Sequence, residues 1–118
     1  MKILIVEDDD ETRELLCQTL VRQGYEVTTA ADGIEGYEQA LALRPDLIIT
    51  DLYMPAADGV HLLRHVRDTP ELATTPVIVV TGYGTGGATL ALSEGASAYE
   101  PKPIQPESLL ATVRRLLA

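Results

Sequence analysis

Short runs of apolar residues alternate along the chain with longer segments in which apolar positions recur every three or four residues. The runs are apolar on both faces, which is typical of parallel strands covered by helices on both sides. They fall at 3–6, 47–49 and 77–80, with a weaker run at 27–30, and a fifth short strand is predicted at 98–100. The pattern therefore predicts strands that alternate with helices.

Five segments have the period of an α-helix. Gly24 follows the first and is a natural C-terminal stop, and Pro45 follows the second. The predicted helices are 10–23, 33–43, a third from near residue 59, a fourth at about 89–94 and a fifth after Pro106. Their predicted apolar faces include Leu15, Leu16, Thr19 and Leu20 in the first, Ile34, Tyr37, Ala40 and Leu43 in the second, and Val60, Leu63 and Val66 in the third.

A strand followed by a helix, repeated five times, predicts a doubly wound α/β fold with right-handed crossovers. Five such units favour a five-stranded parallel sheet in the order 2-1-3-4-5, the flavodoxin-like arrangement. The length of 118 residues fits one domain, residues 1–118. Four glycines between positions 82 and 87 raise the entropic cost of ordering that segment, so a short or frayed fourth helix is predicted.

Composition narrows the classes of partner. Nine basic and 18 acidic residues give a formal charge of −9, which argues against direct nucleic acid binding by this domain and against an anionic membrane surface. No apolar run approaches a membrane span, and the opening MKILIV meets acidic residues too soon for a signal peptide. The single cysteine, Cys17, favours a reducing compartment and a packed, inert thiol, so a cytoplasmic location is expected.

Acidic residues follow two strands that the predicted order makes neighbours. Glu7, Asp8 and Asp9 come after the first strand, and Asp51 ends the third. In open α/β sheets ligands bind at the carboxyl ends of the strands where the strand order reverses. Converging carboxylates repel one another, and a hard cation such as Mg²⁺ relieves that repulsion. The alternative is that these acids only cap helices, which is the role expected for Asp9.

A hydroxyl and an amine are predicted at the same edge of the sheet. Thr81 ends the fourth strand and Lys102 follows the fifth. Each is a weak signal alone, because a threonine at a strand end is usually structural. Together with the acids, they are the groups that phosphoryl transfer requires. In that reaction a nucleophile is surrounded by groups that neutralise the phosphoryl oxygens.

Four segments, ILIVEDDD, DLIITDLYMPAADG, PVIVVTGYG and GASAYEPKP, resemble in order and spacing the signature of bacterial response-regulator receiver domains. The resemblance covers essentially the whole chain. It implies that Asp51 is the phospho-acceptor. It also implies that Mg²⁺ is bound directly by Asp8, largely through water by Glu7, and further by Asp51 and the backbone carbonyl of Tyr53.

The resemblance also implies how such a domain switches. Thr81 would move toward the phosphoryl group, Tyr99 would turn inward, and Lys102 would contact the phosphoryl group from a cis bond to Pro103. The donor would be a phosphohistidine on a sensor histidine kinase or phosphotransfer protein, or a small acyl phosphate. The first helix would contact the kinase. The face formed by the fourth helix, fifth strand and fifth helix would bind an output domain or a downstream protein. The chain would then be a signalling switch that assists its own phosphorylation and dephosphorylation, and not an enzyme.

Three rival classes share this topology or chemistry. A phosphatase with an aspartyl nucleophile needs a second acid two residues after the first, where this chain has Tyr53. An inactive pseudo-receiver lacks an acid, the hydroxyl or the lysine, and all are present. A flavin-binding domain needs a hydroxyl-rich phosphate loop after the first strand, where Glu7 and Asp8 would repel phosphate.

Two further pairs of residues were considered for a functional role. The role of the two tyrosines is left open, and no metal site is expected at the two histidines. Tyr53 and Tyr83 either shield an acyl phosphate on Asp51 or point away from it. His61 and His65 share a helix face, but the sequence places no acid or cysteine beside them, so no metal role is expected.

Overall fold

The computed structural model of this chain describes residues 1–54, 59–82 and 84–118, and for 84–88 only the course of the backbone. Five parallel strands form one sheet in the order β2-β1-β3-β4-β5, which confirms the predicted fold class. The strands are β1 (Lys2–Val6), β2 (Glu26–Ala30), β3 (Leu47–Asp51), β4 (Val77–Thr81) and β5 (Ala98–Pro101), and the helices are α1 (Asp10–Val21), α2 (Gly33–Leu43), α3 (Gly59–Asp68), α4 (Gly84–Ser93) and α5 (Pro106–Leu117).

Two aliphatic layers of core enclose the sheet, because successive strand residues point to opposite faces. One layer joins the sheet to α2, α3 and α4, and the other joins it to α1 and α5. In β4, Val77 and Val79 belong to the first layer while Ile78 and Val80 belong to the second. With neither Phe nor Trp in the chain, branched aliphatic side chains carry this packing.

The buried faces of α1 and α2 are narrower than predicted. Leu15 of α1 is 43% exposed and Ile34 of α2 is 57% exposed, so neither belongs to the core. The face of α2 toward the sheet consists of small residues instead. At Gly36 an added Cβ would lie 2.7 Å from Val6 Cγ2, so this helix lies too close to β1 for a large side chain there. Periodicity alone did not distinguish this small-residue face from the larger apolar residues beside it.

The predicted bounds of the fourth helix, about 89–94, are wrong. Helix α4 begins at Gly84, five residues before the predicted start, and ends at Ser93. Glycine lowers helix propensity, but tertiary packing can outweigh propensity when one face of a helix is buried. Ala91 is fully buried, and α4 packs on both β4 and β5.

The composition led to two expectations, that the chain has no membrane span and that the Cys17 thiol is packed and inert. Within the described ranges, no helix has the length and apolar character required to cross a bilayer. The Cys17 side chain is half-buried against the α1–α5 layer of core. Burial raises the pKa of the Cys17 thiol, with Glu14 adding to the effect, which disfavours the reactive thiolate.

Candidate functional site

The carboxyl ends of β1 and β3 bring the predicted acids together. The two strands are adjacent, with Val6 opposite Thr50, so Glu7 lies beside Asp51. One carboxylate oxygen from each of Glu7, Asp8 and Asp51 lies within 4.8 Å of the others. Glu7 and Asp51 are buried and Asp8 is exposed. The cluster therefore has two interior carboxylates and one that faces solvent.

The Lys102 ammonium lies between the two buried acids. Its Nζ is 2.7 Å from Glu7 Oε1 and 3.2 Å from Asp51 Oδ2. The contact with Glu7 is an ion pair, since within the described residues Glu7 Oε1 accepts no well-directed hydrogen bond. The Lys102 backbone N–H donates to Thr81 O at 3.0 Å, and the Lys102–Pro103 bond is cis, as predicted.

Burial and charge set the protonation of this group of side chains. Burial raises the pKa of Glu7 to about 7, with the negative charge of Asp51 adding to the effect and Lys102 opposing it. Burial alone would lower the pKa of Lys102, but the close negative charges of Glu7 and Asp51 raise it overall. The ammonium therefore stays charged while Glu7 is poorly stabilised as an anion.

Helix α1 begins directly beyond these acids. Asp9 is its N-cap, and Asp9 Oδ2 accepts hydrogen bonds from the Thr12 backbone N–H and hydroxyl at 2.9 and 2.6 Å. These bonds lower the pKa of Asp9. The structure thus gives Asp9 the capping contacts predicted for it. Arg13 was not predicted from the sequence to contact this site. Its guanidinium donates a hydrogen bond to the backbone carbonyl of Glu7 at 2.9 Å and forms an ion pair with Asp10.

Thr81 and Tyr99 lie on neighbouring strands and share one face of the sheet. Val79 pairs with Tyr99, and Thr81 lies two residues beyond Val79, so the two-residue period gives all three the same side. Thr81 is buried and Tyr99 is half-buried. This is the face against which α4 packs.

Tyr53 follows Asp51 by two residues, and its backbone N–H lies 3.4 Å from Asp51 Oδ1. Its side chain is exposed. Tyr83 lies outside the described residues, as does the stretch 55–58. Shielding of Asp51 by the two tyrosines therefore stays a prediction.

Comparison with known proteins identifies the class to which this arrangement belongs. The sequence model of the "Response regulator receiver domain" family matches residues 3–114. The chain belongs to this family. This receiver domain is thus a phospho-accepting component of two-component signalling, as the sequence predicted.

The relatives of this receiver domain include regulators and receiver domains from several bacteria. Response regulator MprA of Mycobacterium avium is 39% identical over an alignment of 118 positions that covers 99% of this chain and 51% of MprA. Chemotaxis response regulator CheY4 of Vibrio cholerae matches with a TM-score of 0.92 and 36% identity, over 98% of each chain. The receiver domain of sensor histidine kinase PA1611 from Pseudomonas aeruginosa has a TM-score of 0.92 and 30% identity, covering 98% of this chain and 96% of that one. Its structure contains a magnesium ion in the active-site cleft. The receiver domain spans about half the length of the curated relatives it matches.

Sequence reasoning missed Glu100, a buried acid of β5. Its two carboxylate oxygens accept hydrogen bonds from Ser108 Oγ and Thr112 Oγ1 of α5, at 2.8 and 2.9 Å. Ser108 and Thr112 are four residues apart and so share a helix face. That pair of hydroxyls, together with an acid inside a predicted strand, is the signal that could have indicated the contact.

A second concavity lies between α2 and α3. It is a cavity of about 150 Å³, and its lining includes Glu38, His61 and His65. Among the described side chains, the acids and histidines whose ligand atoms converge within 4.8 Å are Glu7, Asp8 and Asp51, and these three residues of the cavity are not part of that group.

The raised pKa of Glu7 predicts how stability depends on pH when divalent cations are removed. Between its ordinary value of 4.5 and about 7 the folded protein keeps a proton that the unfolded chain has lost. The free energy of unfolding should therefore decrease as pH rises through this window, by on the order of 3 kcal/mol from this group. Glu7→Gln is neutral throughout and should lack that loss. Urea unfolding in EDTA at several pH values measures the difference between the two proteins, and parallel pH profiles would contradict the prediction.

Proposed function

We propose that residues 1–118 form a single receiver domain in which Asp51 accepts a phosphoryl group in a Mg²⁺-dependent reaction. The donor is the phosphohistidine of a sensor histidine kinase or phosphotransfer protein. The observation that carries this proposal is the contact between Lys102 Nζ and Asp51 Oδ2, 3.2 Å apart, inside a cluster of three carboxylates. A nucleophile and a charge-neutralising amine in one small space suit phosphoryl transfer better than structural capping.

The donor atoms in the cluster fit a hard divalent cation. Three carboxylates offer oxygen ligands only, which Mg²⁺ prefers, and the exposure of Asp8 leaves room for the waters that it retains. We assign Asp8, Asp51 and the backbone carbonyl of Tyr53 as direct ligands, with Glu7 acting largely through water. Bound there, Mg²⁺ would supply positive charge beside the phosphoryl oxygens. The magnesium ion in the related PA1611 receiver domain supports this assignment.

In the proposed reaction an oxygen of the Asp51 carboxylate attacks phosphorus. The new P–O bond forms as the P–N bond to the donor histidine breaks, and the leaving imidazole takes up a proton. Lys102 neutralises a phosphoryl oxygen, and the sheet holds both side chains in place so that little entropy is lost at the moment of transfer. Water later cleaves the acyl phosphate. No external substrate is turned over, so the domain is a switch and not an enzyme.

In the proposed switch, phosphorylation of Asp51 changes the surface formed by α4, β5 and α5. A phosphoryl group on Asp51 is a new acceptor for the Thr81 hydroxyl, and movement of Thr81 frees space on the sheet face that it shares with Tyr99. Tyr99 then turns inward and changes the surface formed by α4, β5 and α5. An output domain or a downstream protein binds that surface, while the kinase contacts α1.

The charge of −9 is consistent with no direct nucleic acid binding by this domain, and a cytoplasmic location is part of the proposal.

Incubation with Mg²⁺ and acetyl phosphate, followed by intact mass spectrometry, tests the proposal. The wild-type protein should gain one phosphoryl group, and EDTA should prevent the gain. Asp51→Asn should gain none, because an amide does not act as the nucleophile. Asp68→Asn, the same chemical change at an exposed acid that ends α3, is the matched control and should behave as wild type. Phosphorylation of Asp51→Asn at the wild-type level would reject Asp51 as the acceptor.

A further inference from the structure

Glu100 is a buried acid for which the proposed chemistry has no use. It is 7% exposed, and its hydrogen-bond donors are the neutral hydroxyls of Ser108 and Thr112. A carboxylate in a protein interior is costly unless its oxygens are satisfied, and an apolar residue of similar size would fill the same space at lower cost. Stability alone therefore does not explain the contact, and a role in positioning neighbouring residues is the better explanation.

The contact closes the loop that presents Lys102. Glu100 belongs to β5 and Ser108 to the first turns of α5, so this hydrogen bond joins the two ends of the segment 101–107, which runs from the last residue of β5 into the start of α5 and is called the 101–107 loop here. Lys102 lies within the loop, and its backbone N–H is tied to Thr81 O at 3.0 Å. Further along, Ile104 is buried in the α1–α5 layer of core. The ammonium that contacts Asp51 thus projects from a segment anchored at β4, in the core and at Glu100.

The start of α5 lacks the usual local anchor. Gln105 is its N-cap residue and makes no side-chain capping hydrogen bond. A capping side chain normally fixes the entry of a helix by bonding its first free N–H groups. Here Glu100 supplies a tether from the neighbouring strand and reaches two successive turns of the helix.

We propose that Glu100 is a positioning residue that sets the reach of the Lys102 ammonium toward Asp51 by holding α5 against β5. The consequence for phosphorylation depends on the proposed function, but the effect on Lys102 does not. Releasing the tether should let the loop 101–107 sample positions in which Lys102 leaves Glu7 and Asp51.

The sequence makes Lys102 easy to follow, because the chain has two lysines and the other, Lys2, is exposed. A short pulse of reductive methylation, followed by peptide mass spectrometry, gives the ratio of Lys102 to Lys2 modification with Lys2 as internal reference. The wild-type ratio should be low, because the Lys102 ammonium is held in contact with two carboxylates, 2.7 Å from Glu7 Oε1 and 3.2 Å from Asp51 Oδ2. Ser108→Ala/Thr112→Ala and Glu100→Leu should each raise the ratio severalfold.

Two comparisons separate positioning from general loosening of the fold. Glu100→Leu keeps an interior side chain of similar size, so its ratio should rise even where its urea midpoint is not lowered. Ser108→Thr/Thr112→Ser keeps both hydroxyls and should restore the low ratio. Leu110→Ala, at a half-buried position of the same helix, removes packing but no hydroxyl and should leave the ratio near wild type.

Phosphorylation by acetyl phosphate, measured on the same proteins, separates the two proposals. Slower phosphorylation in the variants with raised ratios would support both. A wild-type protein that phosphorylates normally, together with an unchanged ratio in Ser108→Ala/Thr112→Ala, would overturn the role of Glu100. The same holds if Leu110→Ala raises the ratio as much as that double variant does. A raised ratio in a protein that never accepts phosphate would support the positioning of Lys102 and overturn the proposed function.

Discussion

Lys102→Met is expected to slow phosphorylation of Asp51 by on the order of 100-fold, the usual effect of removing one group that stabilises developing charge. It should also lower the free energy of unfolding of the metal-free protein by about 3 kcal/mol near pH 8. Both effects follow from the loss of one positive charge. The ammonium contacts Glu7 at 2.7 Å and Asp51 at 3.2 Å, and its removal leaves two interior carboxylates that repel each other. Time courses of phosphorylation by acetyl phosphate measure the first effect, and urea unfolding of the metal-free protein measures the second.

Magnesium should affect this variant differently from wild type. The Lys102 ammonium competes with a cation for the same carboxylates, so Lys102→Met should bind Mg²⁺ more tightly even though it accepts phosphate more slowly. The added Mg²⁺ should restore much of the lost stability, because a ligand that binds only the folded state stabilises it. Tighter binding with slower transfer is not what a partly unfolded protein would give.

Lys2→Met is the matched control for Lys102→Met. Lys2 is the other lysine of the chain, its side chain is exposed, and its bond to Asp46 is made by the backbone N–H. The substitution changes net charge by the same amount and should leave both phosphorylation and stability within error of wild type. Equal rates in the two variants would show that the position of the ammonium is unimportant.

The sheet was predictable because its three central strands, β1, β3 and β4, are almost entirely apolar on both faces. The runs at 3–6 and 77–80 leave no alternation that would suit a half-exposed sheet, and their alternation with helices fixes parallel pairing. The helix faces were less predictable. Ile34 fits the period of α2 as well as Ala40 does, yet Ala40 is buried and Ile34 is exposed. Which of them faces the sheet depends on how closely α2 approaches β1, and that distance is a property of the assembled fold.

The convergence of acids was predictable for a related reason. Parallel strands bring their carboxyl ends to one edge, so Glu7 and Asp51 become neighbours once the strand order is known. The roles of Glu100 and Arg13 were not, because each depends on a contact between elements whose relative placement the sequence does not encode locally. The start of α4 escaped prediction because glycine propensity opposes a helix that packing on β4 and β5 favours.

Gly59→Ala is expected to destabilise the protein by about 3 kcal/mol, near the upper end for an added methyl group in a packed interior. A Cβ at this position would lie 2.1 Å from the backbone oxygen of Asp51 and 2.9 Å from the Cα of Leu52. Both atoms belong to the backbone, so no side chain can rotate away, and either α3 or the end of β3 has to shift. The Gly59 N–H also donates to Leu52 O at 3.0 Å, which holds the start of α3 against the end of β3.

That shift should reach the chemistry, because the clashing oxygen belongs to the proposed phospho-acceptor itself. Gly59→Ala should therefore lower the rate of phosphorylation as well as the urea midpoint, whereas a clash elsewhere in the core would lower the midpoint alone. Gly82→Ala is the matched control for stability, since its Cβ would lie 3.6 Å from Lys102 Cβ, an ordinary contact. We expect the midpoint of Gly82→Ala to stay close to wild type. If Gly59→Ala were equally stable, the close approach of α3 to β3, and with it the position of Asp51 at the end of that strand, would have to be revised.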